Sequence, residues 1–131
     1  MIDAVLLTAA LIIASTTTSM MNTYQDCVQT FAFAQIRSGE NAETLVSAGE
    51  AECRREREDL KSSIRDTVSD EVNSLPDAKY LSQTDLEPLI DNAVNERASF
   101  IVEAVRELAL RNVVFVKARL NEMESQGASN P

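Results

Sequence analysis

Cys27-Val-Gln-Thr-Phe-Ala-Phe-Ala-Gln-Ile-Arg-Ser-Gly39-Glu-Asn41-Ala-Glu-Thr-Leu-Val-Ser-Ala-Gly49-Glu-Ala-Glu-Cys53 decides the fold. The stretch opens and closes on the chain's two cysteines, and Glu40 lies thirteen residues from each. Gly39 is suited to ending a helix and Asn41 to starting one, so Gly39-Glu40-Asn41 predicts the turn of an antiparallel helical hairpin. Residues equidistant from such a turn face each other at the same height. Helical phase agrees with that register. Tyr24, Cys27, Val28, Phe31 and Ala34 recur at three and four upstream; Val46, Gly49, Cys53, Leu60, Ile64, Val68 and Val72 do nearly the same downstream. Each cysteine therefore sits in the apolar stripe of its own helix. Gly49, one turn before Cys53, permits the close backbone approach that a bridge requires. A Cys27–Cys53 disulfide is the expectation. A redox or metal-binding thiol pair is the rival, but the spacing is not CxxC and the chain has no His to complete a zinc site.

A persistent disulfide implies an oxidising compartment. The opening, Ala4-Val-Leu-Leu-Thr-Ala-Ala-Leu-Ile-Ile-Ala14, has the length of a signal-peptide apolar region and is followed by Ser15, Thr16, Thr17, Thr18 and Ser19. Residues 1–19 are read as a signal peptide, which predicts a periplasmic or secreted protein. Asp3 stands where a positive n-region is usual, and no Ala-x-Ala follows. Two alternatives stay open: an uncleaved anchor over Ala4 to Met21, and an amphipathic first helix of a cytoplasmic protein.

The pattern Tyr24-x-x-Cys27, several alanines, a turn, and Ala48-x-x-x-x-Cys53-x-x-Glu56-Arg57 resembles small exported bacterial proteins of unknown function built on a two-cysteine helical hairpin. The resemblance spans roughly Tyr24 to Lys61. It implies a stapled periplasmic hairpin and brings no activity with it.

Outward from the hairpin, the second helix is expected from Asn41 to Leu75, where Pro76 stops it. Glu50–Arg54 and Arg54–Glu58 are predicted i,i+4 pairs along it. Arg54, Arg55, Arg57 and Lys61 admit a phosphate-binding reading, but the acids between them predict a solvated face instead. Leu75 to Gln83 reads as a connector. Thr84-Asp-Leu-Glu87 matches a capping box, which places Pro88 at the edge of the first turn of a third helix running to Glu124. Ala98, Ile101, Val102, Val105, Leu108, Ala109, Val113, Val116 and Leu120 form its apolar face; Glu103, Glu107, Arg111 and Lys117 lie towards the other side. Ser125 to Pro131 reads as a disordered tail. The predicted fold is all-α: a disulfide-stapled antiparallel hairpin plus a long third helix, with residues 20–124 as one helical domain.

Composition narrows the function. A net charge of −9 opposes binding to nucleic acid or to anionic lipid, and six aromatics without Trp give little material for a stacking platform. The absence of His removes the commonest general base, and neither GxxxxGK[ST] nor GxGxxG occurs. The carboxylate pairs Asp66/Asp70 and Glu87/Asp91 fit acid–base or cation chemistry by spacing alone, as coincidence does in a chain with 21 acids. No enzyme, cofactor or metal is expected. Val113-Val-Phe-Val116 is apolar around most of its circumference, and part of it must be covered by the hairpin, a partner subunit or the bilayer. Asn112 and Arg119 fall near the middle of the apolar face of the helix, where polar residues set register and pairing. Asn112, Val113, Phe115, Val116 and Arg119 are the candidate interface. The expected role is a small exported, non-catalytic interaction or structural protein, in one version a homodimer. The alternatives are a membrane-tethered adaptor, touching the membrane only through an uncleaved N-terminal segment, and an inhibitor of an envelope hydrolase.

Overall fold

A computed structural model describes residues 2–129, with side chains from 16 to 127. Four α-helices occur in order: α1 (Ile2–Ala34), α2 (Ala42–Glu52), α3 (Arg54–Asn73) and α4 (Gln83–Ser129), with a 3₁₀ turn at Pro76–Tyr80 before the last. No strand is present among the described residues. α1 packs against α2, α3 and α4, and α4 against α2 and α3, so three rods run down, up and down around one core. The all-α architecture read from the sequence is correct, including the long last helix.

The hairpin turn is built as its residues dictate. α1 unwinds through i→i−3 hydrogen bonds from Gln35, Ile36 and Ser38, and Gly39 then turns the chain at φ +86°, which L side chains rarely adopt. Gly39 therefore reverses the chain five residues beyond the helix end instead of capping it directly. Asn41 caps α2 as expected, its Oδ1 accepting from the Thr44 amide at 2.8 Å.

The cysteines are joined, with Cα atoms 6.0 Å apart across 26 residues. Ten residues from each towards the open end, Thr17 Oγ1 and Ser63 Oγ lie 3.1 Å apart, so the register set at the disulfide is held. Gly49 passes so near α1 that a Cβ there would sit 2.8 Å from the Val28 carbonyl oxygen. The apolar segment Ala4–Ala14, and with it most of the expected signal peptide, lies outside the residues whose side chains are described. Among the described residues no helix is long and apolar enough to cross a membrane.

Four boundaries differ from the expectation. The single second helix is two, interrupted at Cys53 (φ −94°, ψ 28°), although hydrogen bonds Cys53 N to Gly49 O and Arg57 N to Cys53 O carry on through it. The interruption falls on the residue tied to α1. The second rod ends at Asn73, because Leu75 precedes a proline and is extended (φ −68°, ψ 138°). The N-cap of α4 is Ser82, not Thr84. Ser82 Oγ accepts from the Asp85 amide while the Asp85 carboxylate accepts from the Ser82 amide and hydroxyl. Pro88 consequently stands inside the second turn, where Thr84 loses its helical donor. Finally, Ser125 to Ser129, read as tail, continue the helix.

The core draws Tyr24, Val28 and Ala32 from α1, Leu45 and Val46 from α2, and Leu60, Ile64 and Val68 from α3. α4 contributes Leu86, Ile90, Val94, Val105, Ala109 and Val113. Cys53 is wholly buried among them. Polar bridges pin α4 along its length. Arg65 pairs with Asp91 and Arg97 with Glu71, each at 2.6 Å, and Lys117 Nζ donates to the Glu40 carbonyl at 2.5 Å. Exposed pairs of this kind contribute about 0–1 kcal/mol apiece, so burial holds the rods and the bridges fix their register.

Candidate functional site

Three places in the molecule gather chemically distinctive side chains: the surroundings of the disulfide, a polar knot inside the bundle, and the outer face of α4.

At the disulfide, Cys27 is half-buried at the floor of an open groove of about 540 Å³, with Asp26, Glu52 and Glu56 on its rim. The Cys27 and Cys53 sulfurs and a Glu56 oxygen lie within 4.8 Å of one another. That triad has ligand-like spacing, but both sulfurs are committed to the S–S bond and neither is a thiolate.

One helical turn from Cys53 on either side, Glu50 and Arg57 enter the polar knot. Arg106 of α4 pairs with Glu50, their side chains only 29% and 15% exposed, and also donates to Ser47 Oγ at 3.3 Å. Glu50 thus binds across the bundle, not to Arg54 as its spacing suggested. Beside this pair the Tyr24 hydroxyl is buried and unpartnered among the described residues. Its pKa is pushed up, first by burial and then by the Glu50 carboxylate; Arg57 and Arg106 oppose the shift. Arg57 lies near enough to act on the phenol, yet its geometry closes no hydrogen bond. A half-buried ionic pair of this kind adds little net stability once desolvation is counted, and here it ties α2 to α4 at one height.

The remaining basic residues do not converge. Arg57 and Lys61 border an open groove of about 320 Å³ between α3 and α4, in company with Glu58, while Arg54 and Arg55 point elsewhere on the exposed surface. The carboxylates read as pairs are exposed too, and Asp91 is paired with Arg65.

The outer face of α4 is different. Of the candidate interface, Val113 is wholly buried and belongs to the core, and Asn112 and Val116 are half-buried. Arg119 is exposed and contacts Glu122 at 3.4 Å, one turn along its own helix. Phe115 alone projects freely, 65% exposed, beside Val114 at 56%. Sequence reasoning missed Phe100, which is 77% exposed fifteen residues earlier on the same side of the helix. Its signal was present: it stands between Ala98 and Ile101, out of phase with the stripe to which both belong. Solvent-facing aromatics of this kind on a helix mark contact surfaces when they recur on one side.

No family model, no curated protein and no solved structure matches this chain.

Proposed function

We propose that the chain is a small exported, non-catalytic helical protein that works by docking a protein partner on the outer face of α4. The observation that carries the reading is the exposure of Phe100, Val114 and Phe115 on the side of α4 turned away from the core. Two properties support it. A disulfide across the hairpin suits an oxidising compartment. The carboxylates singled out by spacing, Asp66, Asp70, Glu87 and Asp91, are all exposed, and Asp91 is held by Arg65.

A photo-crosslinking side chain placed at Phe115 in cells tests the reading, with the same group at exposed Asp66 on α3 as control. An adduct from position 115 and none from 66, in an exported fraction whose cysteines resist alkylation before reduction, is the expected outcome. Equal labelling at both positions, or two freely alkylated thiols, would overturn it.

A further inference from the structure

We propose that the partner on this face is a second copy of the same chain, joined by antiparallel pairing of α4 over residues 100–118; the inference rests on the docking role just given to that face. Phe100, Ala104, Glu107, Arg111, Val114 and Ala118 are all exposed and follow one another at spacings of four, three, four, three and four. That is the 3.5-residue period of a helix-pairing seam. The seam is also complementary to its own reverse. With two copies related by a two-fold axis level with Ala109, on the opposite, outward side of the helix from that buried residue, Phe100 meets Ala118, Ala104 meets Val114, and Glu107 meets Arg111, each pairing occurring twice.

Size and charge both favour that arrangement. A large side chain lies opposite a small one at both ends, and opposite charges meet at the centre. Within one chain neither Glu107 nor Arg111 pairs with any charged side chain among the described residues, so both are available. Parallel pairing would instead set Glu107 on Glu107 and Arg111 on Arg111, which like-charge repulsion disfavours. The antiparallel contact is isologous and closes on itself, giving dimers and no filament. Its length, about 27 Å at 1.5 Å per residue, puts it at the small end of specific interfaces.

Sedimentation equilibrium of the purified, oxidised chain provides the test. A reversible dimer is expected at roughly 100 µM, weakening with added salt. Glu107→Arg or Arg111→Glu alone should weaken it at least about tenfold, and the double exchange Glu107→Arg/Arg111→Glu should restore it, because like charges replace opposite ones in the first case only. Mixing the two single variants should likewise give a heterodimer. Far-ultraviolet circular dichroism of each variant separates loss of pairing from loss of folding. A monomer at all concentrations, or a dimer indifferent to all three variants, would overturn the inference. If the chain is monomeric while position 115 still crosslinks to a different protein in cells, the docking role survives and self-pairing does not. A monomer with no crosslink at that position defeats both.

Discussion

The α1–α2 seam and the α3–α4 seam bury similar stripes and are held by different means. Between α1 and α2, backbone meets backbone: Gly49 lies against Val28 with no space for a methyl group, and a disulfide crosses one turn away. Between α3 and α4, Leu60, Ile64 and Val68 are buried with Leu86, Ile90 and Val94, and only ion pairs at the edges cross the seam. At Gly49 the close approach leaves no side chain to bury, so covalent closure adds to packing at the first seam. Ordinary helix spacing fills with branched aliphatics, each worth about 1.5–3 kcal/mol, so the second needs no tether.

The contrast breaks most directly at the cysteines. Cys27→Ala/Cys53→Ala should cost about 3–4 kcal/mol by the loop-entropy account of a closure spanning 26 residues. Urea unfolding of the oxidised protein and the variant measures it. A loss under about 1 kcal/mol, below the usual range for such a bridge, would mean that packing alone holds the α1–α2 seam.

Gly49→Ala sharpens the same contrast. The added methyl must displace a backbone carbonyl, and overpacking of that kind costs about 1–3 kcal/mol, partly offset by the better helix propensity of Ala. A net loss of about 1–2 kcal/mol is expected by urea unfolding. Gly127→Ala, where nothing lies within 4 Å, should be neutral or slightly stabilising. The cost at Gly49 should shrink in the Cys27→Ala/Cys53→Ala background, since an untethered seam can open to admit the methyl. Additive costs would instead show that the disulfide does not enforce the close approach.

The tethered seam was legible in the sequence because turn chemistry, cysteine spacing and helical phase all point to one register. The break at Cys53 was not, since it falls where a long-range bond meets a local helix and has no signature among its neighbours. The start of α4 was ambiguous for another reason: Ser82-x-x-Asp85 and Thr84-x-x-Glu87 both satisfy a capping pattern, and the earlier one follows extended Leu81. At the outer face, Val113-Val-Phe-Val116 concealed which side was inward. Carrying the phase of buried Val105 and Ala109 forward puts Val113 inside and Val114 and Phe115 outside, as observed. The run looked uniformly apolar only when read without the phase of the residues before it.

The smallest effect is expected at Tyr24, where the α1–α2 seam admits a polar atom that the α3–α4 seam does not. Among the described residues its hydroxyl is buried without a partner, whereas the other tyrosine, Tyr80, is 77% exposed. An unsatisfied buried hydroxyl opposes folding, so Tyr24→Phe should be neutral or stabilising by up to about 1 kcal/mol. The pH dependence carries a definite sign. The folded-state pKa of Tyr24 is raised, so below the ordinary phenol value near 10 both folded and unfolded states keep the proton and the group contributes no pH dependence. As pH rises past that value the unfolded chain ionises first, and stability falls until the folded phenol also titrates. Ultraviolet titration at fixed temperature should resolve a phenol displaced upward, and Tyr24→Phe should remove it along with the alkaline loss of stability that it causes. No upward-displaced phenol would mean that water reaches the Tyr24 hydroxyl, and the knot of Glu50, Arg57 and Arg106 would then be a solvated surface cluster instead of part of the seam.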